Sequence, residues 1–155
     1  MSGVVGSNLV TQVGFIVKDI EETKKKWAEF LGLEVPPTVG CGEYSVTKTE
    51  FMGKPAPYAE AKLAFFTVGP SLQIELIEPN EVSSIWRDFL DSHGEGVHHL
   101  AFSVDGMQNA IKSAETFGLT LEQKGNYGDG SGRYSYLNGI EPLKVFIELL
   151  ESDRK

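Results

Sequence analysis

QVGFIVKDI, from Gln12 to Ile20, and HLAFSVDGM, from His99 to Met107, are the two stretches that decide the fold. Each alternates as a strand does, reaches a turn containing Asp, and then enters a helical pattern. A second match lies downstream of each: LQIELIE, Leu72 to Glu78, pairs with VFIELLE, Val145 to Glu151, around a shared I-E-L-(I/L)-E core. The order is the same in both halves. The helix after each opening strand is amphipathic, with Ile20, Thr23, Trp27, Phe30 and Leu31 on one face of the first and Met107, Ala110, Ile111, Ala114 and Phe117 on one face of the second. Gly32 and Gly118 stop them.

Beyond the helices, turn residues separate short strands at roughly 43–50, 61–68 and 71–78 in the first half and 120–124, 133–138 and 143–150 in the second. Each half therefore reads β-α-β-β-β, and the fold expected is α+β: two pseudo-symmetric βαβββ modules forming one cupped, barrel-like mixed sheet with outer helices. Module one spans about 8–78, a structured connector about 79–96 with a short helix near Ser83 to Asp91, and module two about 97–151. Halves of about 70 residues are too small to be comfortable alone, so one domain covering 1–155 is expected, with a site on its pseudo-twofold axis. The stretch 36–60 fits the pattern worst and is expected to be a mobile loop flanking a strand. GNYGDGSG, Gly125 to Gly132, reads as a flexible turn and a lid.

The 155 residues carry 22 acidic and 14 basic side chains, a net charge of −8, with 41% apolar and 23% charged positions. That is a globular composition. No apolar run approaches the roughly 20 residues of a membrane span, and a net negative surface is a poor partner for nucleic acid or anionic lipid. MSGVVGSNLV has no Lys or Arg and does not read as a targeting peptide, which gives a cytoplasmic expectation. The single cysteine, Cys41, excludes an intrachain disulfide and a Cys-based metal cluster and reads as a bystander thiol. KKK at Lys24 to Lys26 lies among Glu21, Glu22 and Glu29 and reads as an ordinary helix surface.

Strand alternation puts Val13, Phe15 and Val17 on one face and Gln12, Gly14 and Ile16 on the other. By the same reasoning Ile74 and Leu76 face the helix-packed core with Glu75 opposite, as do Ile147 and Leu149 with Glu148 opposite. The repeat equates His99 with Gln12. Gln12, Glu75, His99 and Glu148 thus fall at two pairs of equivalent positions in strands whose neighbours are strongly apolar. Two carboxylates buried among Ile and Leu are costly without a cation, whereas a divalent metal offsets their repulsion. Alternation sends His98 to the opposite face from His99, for a packing role.

TQVGFIVKD, LQIELIEP, HGEGVHHLAFSVD and VFIELLE, in this order and spacing over about residues 8–151, resemble the vicinal-oxygen-chelate superfamily of glyoxalase I, methylmalonyl-CoA epimerase, extradiol dioxygenases and drug-resistance proteins. IELIEP followed by WRDFLDSHGEGVHHLAF is most similar to methylmalonyl-CoA epimerases. Their metal-ligand positions fall on Gln12, Glu75, His99 and Glu148. Gln12 departs from the His of epimerases, and the Gln/Glu/His/Glu set is similar to that of mammalian-type glyoxalase I. Iron dioxygenases use two His and one carboxylate, which Gln12 disfavours; metal-free antibiotic-binding relatives are disfavoured by the retained donors.

The resemblance implies a divalent-metal-dependent isomerase or epimerase moving a proton at a carbon next to a carbonyl, with one Zn²⁺, Ni²⁺, Co²⁺ or Mn²⁺. The alternatives are lactoylglutathione lyase and a non-catalytic small-molecule-binding protein. Glu148 is the leading base and Glu75 mainly a ligand, in likeness to glyoxalase I, with Glu75 also placed to act as acid. The substrate expected is an acyl thioester or a glutathione adduct, and the resemblance implies a homodimer. Glu50 is a weaker second base; Arg133 and Lys144 are candidate anchors for an anionic tail.

Overall fold

A computed structural model describes residues 3–153. Its elements, in chain order, are β1 (Val10–Ile16), α1 (Ile20–Leu31), β2 (Val39–Gly40), α2 (Tyr44–Thr47), β3 (Glu50–Phe51), β4 (Lys54–Pro55), β5 (Ala61–Val68), β6 (Leu72–Pro79), α3 (Ile85–His93), β7 (Gly96–Ser103), α4 (Met107–Phe117), β8 (Thr120–Asn126), β9 (Gly132–Asn138), α5 (Ile140–Leu143) and β10 (Phe146–Ser152). All ten strands join one mixed sheet, curled into a half-barrel, in the order β2-β5-β6-β1-β7-β10-β9-β8-β3-β4. The repeat governs its middle. β1 runs parallel to β6 and β7 parallel to β10, while β1 and β7 meet antiparallel at the seam between the halves. Among the described residues no helix is long and apolar enough to cross a membrane.

Both repeated helices cover the outer face of the sheet. Ile20 and Ala28 of α1 join Val17, Ala64, Phe66 and Leu76 in one core cluster, with Phe15 and Ile74 packed against it. Met107, Ala110, Ile111 and Ala114 of α4 join Leu137, Ile147 and Leu149 in its counterpart. The second Glu of each I-E-L-(I/L)-E motif, three residues on and therefore on this outer face, closes the helix N-terminus of its own half. Glu78 accepts from Ile20 N–H at 3.0 Å, and Glu151 accepts from Gly106 and Met107 N–H. The connector helix α3, capped by Ser84 accepting from Arg87 N–H at 2.9 Å, lies on the inner face instead. Its Ile85, Trp86 and Phe89 pack with Ile16, Ile77, Tyr136 and Phe146 in a third cluster.

Three expectations are corrected. Residues 43–50 form the short helix α2 and the start of the two-residue β3, because Lys48 and Met52 take left-handed conformations (φ 49° and 54°) that break an extended run. β3 pairs with β8, so this strap from the first half extends the sheet of the second. Within Gly125 to Gly132 the expected turn falls at 127–131, held by Tyr127 N–H to Gly132 carbonyl and Gly130 N–H to Tyr127 carbonyl, both at 2.9 Å, with strand only at the two ends. Phe30 is 82% exposed, edge-on to Trp27, while Lys24 is buried with its ammonium on Thr38 and Glu21. Finally, the β1–β7 register steps from Gly14↔His99 to Phe15↔Val97, leaving His98 as an extra residue. That bulge turns its ring to the same side as His99, against strict alternation.

Candidate metal centre

Gln12 of β1, Glu75 of β6, His99 of β7 and Glu148 of β10 project from four adjacent strands onto the inner face. Their exposures are 6%, 6%, 0% and 4%. His99 Nε2 lies 3.4 Å from Glu75 Oε1, 3.2 Å from Glu148 Oε1 and 3.1 Å from Gln12 Oε1. The imidazole reaches this point because Gly14 stands directly across from it: a Cβ there would lie 2.0 Å from His99 Cε1 and 2.5 Å from both ring nitrogens.

These separations fit a metal cradle. Donor atoms about 2.1 Å from one ion, at tetrahedral or octahedral angles, stand about 3.0–3.4 Å apart. The Gln12 amide sharpens the test. Its outer atom lies 3.2 Å from the Glu75 carboxylate and 3.0 Å from that of Glu148; an oxygen there faces only acceptors, so either a cation sits among them or the amide turns and donates to both. The buried group Glu75, His99 and Glu148 could hold a metal ion.

Charge within the group is self-consistent without an ion. Burial opposes the His99 imidazolium, but the Glu148 charge and the hydrogen bonds the imidazolium donates to both carboxylates outweigh it and push the pKa up to about 9. Burial also raises Glu75, with His99 pulling the other way and Glu148 adding to the rise. The two carboxylates, equivalent by the repeat, have unequal surroundings. Tyr136 is directly opposite Glu148 across β9–β10, whereas Phe65 is opposite Glu75 across β5–β6. Tyr136 Oη accepts from Trp86 Nε1 at 3.1 Å, and burial pushes its pKa well up, with the Glu148 and Glu75 charges adding. Tyr127 and Tyr134, raised to about 12 chiefly by burial, also feel the Glu148 charge.

The chain matches the model of the glyoxalase/bleomycin resistance protein/dioxygenase superfamily over residues 11–136. It belongs to that superfamily. Among relatives of this superfamily member, the uncharacterized protein YqjC of Bacillus subtilis (strain 168) is 28% identical over 93 residues, 59% of this chain and 66% of its own length. The crystal structure of the hypothetical protein BH1468 from Bacillus halodurans C-125 aligns with a TM-score of 0.67 at 22% identity, covering 96% of this chain and 97% of that one. A Streptomyces coelicolor methylmalonyl-CoA epimerase variant in complex with 2-nitronate-propionyl-CoA aligns with a TM-score of 0.63 at 20% identity, covering 92% and 96%. At these identities the likeness is one of fold.

The other residues singled out by sequence lie elsewhere. Glu50 pairs in register with Lys124 and, with Arg133, borders a cavity of about 200 Å³ between α2, α4, β8 and β9. Arg133 is held by Glu151 and Asp153 at 2.6 Å each, and exposed Lys144 donates to the Glu141 carbonyl at 2.7 Å. Arg133 is thus paired with two carboxylates, whereas the Lys144 ammonium remains exposed to solvent. Cys41 is half-buried. A larger cleft of about 850 Å³, lined by Lys18, Lys62, Glu78, Arg87, Leu90 and Asp91 among others, touches none of the four donors. Tyr136, Tyr134 and Tyr127 were missed by sequence reading; the Y-x-Y alternation in β9 was the available signal.

Proposed function

We propose that this superfamily member is a divalent-metal-dependent isomerase that moves a proton at a carbon beside a carbonyl, as a methylmalonyl-CoA epimerase does. The observation that carries the reading is a pair of buried carboxylates, one from each half, converging on one imidazole. Glu75, His99 and Glu148, with the Gln12 carbonyl as fourth donor, would hold the ion, whose Lewis acidity lowers the cost of deprotonating carbon next to a carbonyl. Glu148 takes the proton as base. Glu75, from the other half and also within reach of the imidazole, is placed to return the proton as its partner acid. Trp86, Phe89 and Tyr136 close the floor of the site and keep bulk water from quenching the carbanion.

Acyl thioesters are the substrate class favoured, by the fold likeness to an epimerase seen with an acyl-CoA analogue. Lactoylglutathione lyase is the second reading, favoured by the Gln12 amide among the donors. Incubation of metal-reconstituted protein in D₂O with methylmalonyl-CoA, and separately with the methylglyoxal–glutathione adduct, tests both. Deuterium at the α-carbon of the first supports the epimerase, and lactoylglutathione from the second supports the lyase. Saturable binding with neither product replaces both by a binding protein.

A further inference from the structure

The bulge in β7 leaves a second imidazole beside the donors. His98 Nδ1 lies 2.9 Å from His99 Nδ1, and both rings are fully buried. The His98 ring is stacked on Phe146, centroids 4.9 Å apart and planes 22° apart, and stands edge-on to Phe89 at 4.9 Å and Tyr136 at 5.5 Å. Its position is therefore dictated by β10, α3 and β9 before His99 is considered.

Two imidazole nitrogens in contact share a single proton, so one donates and the other accepts. The far end of His99 decides which. Its Nε2 faces two carboxylates; as an imidazolium it carries hydrogen on both nitrogens, and as a metal ligand through Nε2 it keeps its one hydrogen on Nδ1. In both states His99 Nδ1–H donates and His98 Nδ1 accepts. His98 then bears its own hydrogen on Nε2, a buried atom with no hydrogen bond of ordinary geometry among the described residues, although the Ile85 backbone acts on the ring. A ring wanted only for packing in this aromatic frame would be served as well by Phe.

We infer that His98 is a positioning residue of the metal centre, its Nδ1 holding the His99 ring in the orientation and tautomer that present Nε2 to Glu75, Glu148 and Gln12. The inference rests on the metal-centre reading above. Outer partners of this kind influence metal affinity by about 10–100-fold in other metal sites.

The test compares His98→Phe, which keeps the ring and loses the acceptor, with His98→Asn, whose carbonyl oxygen stands near the position of Nδ1. Zn²⁺ affinity is measured by titration of metal-free protein, with thermal midpoints and histidine ¹⁵N spectra alongside. The expected result is an affinity loss of about 10–100-fold in His98→Phe and recovery in His98→Asn to within about threefold, with the metal-free midpoints showing that each variant is folded. His98→Phe binding within about twofold of the parent, or His98→Asn binding no better than His98→Phe, overturns the inference. Failure of the parent to take up Zn²⁺ sinks the metal-centre reading instead. In that event no metal centre is left for His98 to position and the inference falls with it; with the metal bound, hydrogen on His99 Nδ1 and His98 Nε2 supports the assignment, and hydrogen on His98 Nδ1 overturns it.

Discussion

Glu148 and Gly14 carry the sharpest tests at the scale of single residues. If Glu148 is the base proposed, its replacement by Gln keeps shape and loses proton affinity, so turnover should fall about 10²–10⁴-fold with the circular-dichroism spectrum unchanged; a loss under about tenfold would remove it from that role. Gly14→Ala drives a methyl into the His99 ring, which has no free space on a fully buried face. Metal uptake should be abolished, and stability should drop as well. His99 also sets a pH dependence. In metal-free protein its pKa stands at about 9 against an ordinary 6.5, so its stabilising ion pairs are fully present below about pH 6.5 and are lost as pH rises through 9. The metal-free thermal midpoint should decline across that window, and His99→Gln should flatten the decline. The convergence of Gln12, Glu75, His99 and Glu148 was legible because one repeat and one alternation rule place all four. His98 was not: a bulge is a single extra residue, and alternation carries no mark of it.

Elements divide by how much of their cause is local. α1 and α4 were readable, since apolar period and a Gly stop act within a dozen residues. Their N-termini show what the motif's second glutamate does. α1 has Asp19 as an N-cap, accepting from Glu22 N–H at 3.1 Å, in addition to Glu78. α4 begins at Gly106 with no side-chain cap of its own and depends on Glu151, which is also bound by Arg133. Glu151→Ala should therefore cost about 1–2 kcal/mol and Glu78→Ala about 0.5–1 kcal/mol, read from urea unfolding midpoints. Equal costs would contradict this division. The strap of α2 and β3 was illegible because its partner β8 lies some seventy residues away and its strand is two residues long, too short for any period.

Across the whole molecule, the strap and the donors both tie the halves together. Gly42 approaches the turn at Gly128 so closely that a Cβ on Gly42 would sit 2.4 Å from Gly128 Cα, and Asn126 donates to the Val46 carbonyl at 3.0 Å. Gly42, at φ 104°, tolerates no side chain by conformation either. Gly42→Ala should release the strap, seen as proteolytic cleavage within 41–56 at least about tenfold faster while the central sheet stays protected. The donor set draws two members from each half, so ion binding should raise the midpoint of one cooperative transition, by about 2.7 kcal/mol of stability at a hundredfold excess over Kd. Two separate transitions would contradict that. The unequal walls beside the two carboxylates, phenol against Glu148 and phenyl against Glu75, bear on interchangeability. A strictly twofold cup, though still chiral, would put identical groups on its two sides, and either carboxylate could stand in for the other. In this one the sides differ, so exchanging the two side chains would not return the same surroundings.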